Sequence, residues 1–303
     1  MSNQSKGIML ALLTSVISGF SIFYSKISVA KIDPLVLTTS RNLYVGALFL
    51  IILFLSNGWK SLFRLSKRDA ILLVLIGFIG GSIPFYLFFS GIKLMGAQSA
   101  NLIHKSLFIW VIMLGSVFLK EKLNIGLIVG GALIFIGTYF FTTFALVFGQ
   151  GTQYILLATL MWSVENVIAK KVLSNVSSEL VGLFRMMLGG LLLFILTFAT
   201  GKGQILTRLN TMQLQTIFIG GTLLFFYVFT WYKSLKYAPA GLATTLLTFS
   251  LIVGNVLNGS FGYILIKHSD IYSMIFVSTG VLLLIFMSLF QKKILGFVKR
   301  FHE

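Results

Sequence analysis

Apolar stretches of about twenty residues, the length that spans a bilayer core, recur along the whole chain. They begin near Gly7, Pro34, Asp69, Lys93, Asn124, Thr152, Glu179, Met212, Pro239 and Asp270. Each is continuously apolar rather than alternating, which predicts helices and not the strands of a barrel. The pattern therefore predicts an all-α membrane protein with ten transmembrane helices joined by short loops. The first stretch follows Lys6 as a signal peptide would. No A-x-A-like cleavage site comes after it, and it has a counterpart later in the chain, so it counts as a span.

Composition agrees. The 303 residues are 57% hydrophobic and 10% charged, with a mean hydropathy of +0.97. Soluble domains carry about 25% charged residues, so a water-soluble globule is excluded. The formal charge of +17 would suggest nucleic acid in a soluble protein. Here the basic residues flank apolar runs, so lipid headgroups are the expected partner and nucleic acid is not. The absence of cysteine excludes a disulfide framework and thiol chemistry.

Ten spans put both termini on one side. That side holds Lys6, Lys60, Arg64, Lys67, Arg68, Lys120, Lys122, Lys170, Lys171, Lys233, Lys236, Lys292, Lys293, Lys299 and Arg300. The opposite loops hold Lys26, Lys31, Lys93, Lys202, Arg208 and Lys267, and Arg41, Lys105 and Arg185 fall inside spans. By the positive-inside rule both termini are cytoplasmic, in a multi-pass protein of the cytoplasmic membrane.

A weak internal repeat runs through the chain. A shift of 144 residues places Gly7 on Gly151, Lys26 on Lys170, Arg41 on Arg185 and Gly46 on Gly190. A shift of 143 places Gly77 on Gly220, Lys93 on Lys236, Ala97 on Ala240, Phe118 on Phe261 and Gly137 on Gly280. The halves, 1–148 and 149–303, each hold five spans. An odd number makes the second half enter the membrane from the other side, so the repeats have inverted topology. Many secondary transporters share this arrangement, with the substrate site near the midplane between the halves.

The stretch KLMGAQSANLIHKSLFIWVIMLGSVFLKEKLNIGLIVGGALIFIG, residues 93–137, and KYAPAGLATTLLTFS, residues 236–250, resemble the drug/metabolite transporter superfamily in its EamA-type ten-helix form. The shared features are small residues entering the fourth helix, an acid in a short basic loop, and a Gly-rich fifth helix. Glu121 matches the loop acid. The second half departs from this pattern at YILIKHSDIYS, residues 263–273, where Asp270 replaces the acid or the acid is lost. The resemblance implies a metabolite carrier and favours export, with amino acids as the first expectation.

Polar residues inside spans are costly and mark candidate sites. Glu165 lies deep in the sixth span on one face with Trp162, Asn166 and Ala169. The repeat equates that face with Thr14, Ser18, Ser21 and Ser25 in the first span. Glu165 either faces a central cavity or pairs with Arg185 or Lys170, and the serine stripe either lines the cavity or packs helices. A second symmetric pair sets Asn101, His104 and Lys105 in the fourth span against Thr244, Leu247 and Thr248 in the ninth. Pro84 is expected to kink the third span and turn Tyr86 inward. Arg41 and Arg185 are expected to snorkel or cap carbonyls, and Trp231 and Tyr232 to anchor at the interface. The expected substrate-binding set is Glu165, Asn166, Trp162, Lys105, His104, Asn101, Ser21, Tyr86, Thr244 and Thr248, with Glu165 also the candidate proton site.

A nucleotide-driven pump lacks its G-x-x-x-x-G-K-[ST] loop, and an enzyme lacks a constellation such as H-E-x-x-H. Of the three histidines, His268 and His302 stand at a membrane edge and in the tail. No catalytic residue, metal or cofactor is expected. The expected function is secondary active transport of an amino acid or similar small organic ion, coupled to protons at Glu165. An uncoupled uniporter or exchanger for an organic anion such as a sugar phosphate remains open, as does a passive channel. A monomer is expected, because two fused halves already form a pseudo-dimer.

Overall fold

The computed structural model describes residues 2–140 and 149–300, with side chains up to residue 289. Among the described residues, two short helical turns, Gly58–Arg64 and Gly203–Thr207, lie in connections, and the longer helical stretches follow in order: α1 (Asn3–Lys31), α2 (Pro34–Leu55), α3 (Lys67–Met95), α4 (Ala97–Phe118), α5 (Ile125–Phe140), α6 (Gln150–Val172), α7 (Ser178–Ala199), α8 (Thr211–Tyr237), α9 (Ala240–Ser260) and α10 (His268–Arg300). Eight of them are long and apolar enough to cross a membrane. The remaining two are α5, which is apolar but shorter, and α6, whose 23 residues include Glu165, Lys170 and Lys171. No strand occurs among the described residues. The side chains of Lys292, Lys293, Lys299 and Arg300, and all of His302, lie outside the description, as does the stretch 141–148 that ends the expected first half.

Local chemistry sets the helix ends. Asp33 accepts the amides of Leu35 and Val36 ahead of α2, and Pro34 sits at the first helical position, where its missing amide costs nothing. Asn210 and Gln213 form a reciprocal capping box at the start of α8.

Two pairs of helices at equivalent repeat positions, α2 with α7 and α5 with α10, lie antiparallel and close together. Along α2 and α7, Phe49 meets Gly182, Gly46 meets Met187 and Leu43 meets Gly190, so one chain rises as the other falls. Along α5 and α10, Gly126 meets Met287, Gly130 meets Gly280 and Gly137 meets Phe276. Glycines let these backbones approach without the hydrophobic drive available in water. The pairs α1 with α8 and α3 with α6 interchange when the halves are exchanged.

Four helices are interrupted within their length. α3 breaks at Ser82, where φ is −117° and ψ −94°. α4 bends at Ser106. α7 contains a π-helical turn, Phe184–Leu188, and α9 a 3-10 turn, Leu247–Phe249. Irregular backbone at membrane depth is tolerated only where protein or a cavity satisfies its polar groups.

Candidate functional site in the centre of the helical bundle

Pro84 sets up the site through the hydrogen bond it cannot make. A residue four along a helix normally donates to the carbonyl of Gly80, but proline has no amide hydrogen. The freed Gly80 carbonyl instead accepts the indole Nε1 of Trp162 at 2.8 Å and Nε of Arg185 at 3.2 Å. The next carbonyl, Gly81, accepts Nδ2 of Asn42 at 2.7 Å. The break in α3 thus ties together α2, α6 and α7.

A cavity of about 600 Å³, mouth included, lies beside this junction. Its aromatic walls come from Phe85, Phe88 and Phe89 on α3, Trp162 on α6, and Tyr227 and Trp231 on α8. Phe88 and Trp162 stand edge-on to the imidazole of His104, with centroids at 5.2 and 5.0 Å. The polar lining is Ser18, Ser21 and Ser25 on α1, with His104, Asn166, Arg41 and Arg185. A mostly aromatic cleft with a few convergent polar groups is the usual form of a small-molecule site.

The two arginines differ. Arg185 Nη1 lies 3.7 Å from Glu165 Oε2 and donates to the Tyr232 hydroxyl at 3.3 Å. That hydroxyl in turn donates to Glu165 Oε1 at 2.5 Å. Arg185 is therefore neutralised in place. Arg41 donates Nη2 to the Gly220 carbonyl at 2.8 Å and lies over the ring of Phe89 at 4.9 Å, but its Nε and Nη1 have no hydrogen-bond partner. Arg41 is 2% exposed, and a buried cation lacking an anion is costly.

Of the residues expected from sequence, Trp162, Asn166, His104 and Ser21 line the cavity. Asn166 accepts the Trp231 indole at 2.8 Å, and His104 pairs with Thr159 at 3.3 Å. Glu165 does not line it: fully buried, it faces Arg185 and Tyr232. Lys105 is buried beside the cavity with its ammonium 3.5 Å from Ser18. Thr244 and Thr248 are buried, bonded to carbonyls of their own helix. Tyr86 is half-buried and borders no described cavity. Asn101 lines a second cavity at the start of α4.

One expectation is corrected and another narrowed. Trp231 and Tyr232 are not interfacial anchors but are buried, at 1% and 0% exposure, because Asn166 and Glu165 give their polar atoms partners inside the bundle. Of the two roles expected of Arg41 and Arg185, snorkelling does not occur and capping of carbonyls does: Arg41 donates to Gly220 and Arg185 to Gly80, each on another helix. The polar stripe of α1 divides as well. Thr14 bonds Thr230 on α8 as a packing contact, whereas Ser18, Ser21 and Ser25 face the cavity. The aromatic wall carries no contrast in an apolar sequence, and the signal that could have found it is Pro84, two residues after the break at Ser82.

The EamA-like transporter family model matches residues 5–143 and again residues 149–286. A comparison with curated proteins returns no match. A solved structure entitled only a crystal structure of a protein superposes with a TM-score of 0.75 over 93% of this chain and 96% of that one. At 16% identity the likeness shows the fold alone.

Proposed function

The chain belongs to the EamA-like transporter family, and from that premise we propose that it carries a small carboxylate-bearing metabolite, an amino acid or close analogue, out across the cytoplasmic membrane by alternating access. It is a multi-pass membrane protein and a transporter of small molecules. The observation that carries the finer reading is Arg41, a buried guanidinium with two unpartnered donor atoms at the wall of the central cavity. A carboxylate there would supply the missing anion and accept a charge-assisted hydrogen bond from one of them. The aromatic walls would take the apolar body of the substrate, and Ser21 and Asn166 would offer it hydrogen bonds.

In this reading all ten helices cross the membrane, including α6, whose charged groups are paired within the bundle. The halves 1–148 and 149–303 form inverted repeats, which the antiparallel seams α2–α7 and α5–α10 support. One half rocks against the other about a site between them, and the bias of lysine and arginine puts both termini in the cytoplasm. The protein works as a monomer. Glu165 holds Arg185 and Tyr232 in place. Proton coupling at Glu165 is the second reading, favoured by Oε2, which lacks any hydrogen bond.

The test is flux into proteoliposomes containing a pH dye, challenged with amino acids, organic amines and sugar phosphates. Saturable uptake of amino acids, stimulated by amino acid on the far side, is expected. Transport of amines in preference would overturn the carboxylate. Non-saturable flux would make the protein a channel. A substrate-dependent pH change that is lost in Glu165→Gln would establish the proton.

A further inference from the structure

A second cavity, of about 780 Å³ with its mouth, lies where α1, α4 and α9 end together, and Ile22 borders both it and the central one. It is built around the start of α4. Gly96, at φ +87°, turns the chain into a helix whose first amides, those of Ala97 and Gln98, have no preceding turn to accept them.

The other half shows what such a start requires. At the beginning of α9 the carboxylate of Glu121 accepts the amides of Ala240 and Gly241, at 2.7 and 3.1 Å. The 143-residue register that places Ala97 on Ala240 places Glu121 on Ile264, and Ile264 lines the second cavity. The lysines diverge too. Lys170 donates to the carbonyls of Leu235 and Ala238. Its counterpart Lys26 lies over the Tyr263 ring at 3.9 Å and borders the cavity.

Two buried amides in the same cavity are left incomplete. Asn255 is 3% exposed and its Nδ2 has no hydrogen-bond partner; Asn101 is 4% exposed and its Oδ1 has none. Buried polar groups of this kind are rare and call for a partner.

We propose that this cavity binds the carboxylate of a small α-hydroxy or α-amino acid, in the place that a glutamate side chain holds in the other half. The amides of Ala97 and Gln98 and Nδ2 of Asn255 donate to the carboxylate, and Lys26 supplies charge. Asn101 Oδ1 accepts a hydrogen from the ligand's hydroxyl or ammonium group. Contact with Ile22 makes the site an antechamber of the central cavity. Binding here stands apart from the transport reading, because it is measured without flux.

The experiment is thermal unfolding of the purified full chain in a neutral detergent, titrated with L-lactate at constant ionic strength. Ethylammonium, inorganic phosphate and phosphatidylglycerol serve as comparison probes. A saturable rise in Tm with L-lactate, and none with ethylammonium, is expected. Ile264→Glu supplies the carboxylate from within, so its Tm starts higher and no longer responds to L-lactate. Asn255→Leu weakens the response about tenfold, the loss of one hydrogen bond to a charged acceptor, and decides the matter if Ile264→Glu does not fold. An absent L-lactate response overturns the proposal, as does one of equal size in wild type and both variants. So does a response only to phosphate or phosphatidylglycerol, which would assign the site to a phosphate group, free or on a lipid. A response lost in Arg41→Gln but kept in Ile264→Glu and Asn255→Leu overturns it while leaving the central cavity intact as a carboxylate site.

Discussion

The indole of Trp162 donates to the carbonyl of Gly80 at 2.8 Å, the carbonyl that Pro84 leaves without its helical donor. One absent amide hydrogen in α3 thereby fixes an aromatic wall of the cavity on α6 and one of its two arginines on α7.

Pro84→Ala restores the helical donor to Gly80. Pro84 stands in the first turn after the break at Ser82, where proline costs little, so the backbone of α3 gains little, while Trp162 and Arg185 must compete for their acceptor. The expected result is a Tm close to wild type with substrate flux reduced by about tenfold or more, as misplacement of binding groups produces. Parallel unfolding and proteoliposome uptake check it.

Removing one member of the buried Glu165–Arg185 pair strands the other. Glu165→Leu is expected to destabilise by about 3–5 kcal/mol. The double variant Glu165→Leu with Arg185→Leu recovers part of that loss. A double-mutant cycle on Tm in detergent gives the coupling, and additive effects would show that the two side chains do not act as a pair.

Glu121 caps α9 from across the repeat boundary with two hydrogen bonds. Glu121→Ala is expected to cost about 1–2 kcal/mol, the usual worth of a good N-cap carboxylate. Glu121→Gln costs less, because its amide oxygen still accepts one bond. Chemical unfolding of the three proteins orders them.

Gly81 and Gly189 bring α3 and α7 into backbone contact, and a methyl at Gly81 would collide with the Arg185 carbonyl oxygen. Gly81→Ala is expected to destabilise by about 1–3 kcal/mol, the typical cost of overpacking. Gly201, which has open space around its Cβ position, shows a smaller effect when changed to Asn, a residue that tolerates its φ of +73°. Tm values for both variants test the contrast.

The helices were legible because a bilayer demands long apolar runs, and the repeat register set one half against the other without saying which helices pack together. Trp162, Asn166, His104 and Ser21 were legible as polar or bulky groups on faces of apolar helices. Depth alone does not give direction. Glu165 was placed deep in its span, facing either a cavity or a basic partner, and what it does face depends on Arg185 and on Tyr232, a hydrogen-bond partner 67 residues away. Phe85, Phe88 and Tyr227 could not be singled out, since an aromatic ring in an oily span looks the same whether it meets lipid, core or cavity. Arg41 was undervalued because a lone arginine usually escapes to headgroups, and only the fold shows its guanidinium held inward by Gly220 on α8.

The most direct measurement is the KM for uptake of a transported amino acid in proteoliposomes containing wild type or Arg41→Gln, with the matching amine that lacks the carboxylate as competitor. Loss of a charge-assisted pair is expected to raise KM by at least about tenfold, with the amine competing poorly against wild type. An unchanged KM in Arg41→Gln, or an amine that competes as well as the amino acid does, would contradict a carboxylate held by Arg41.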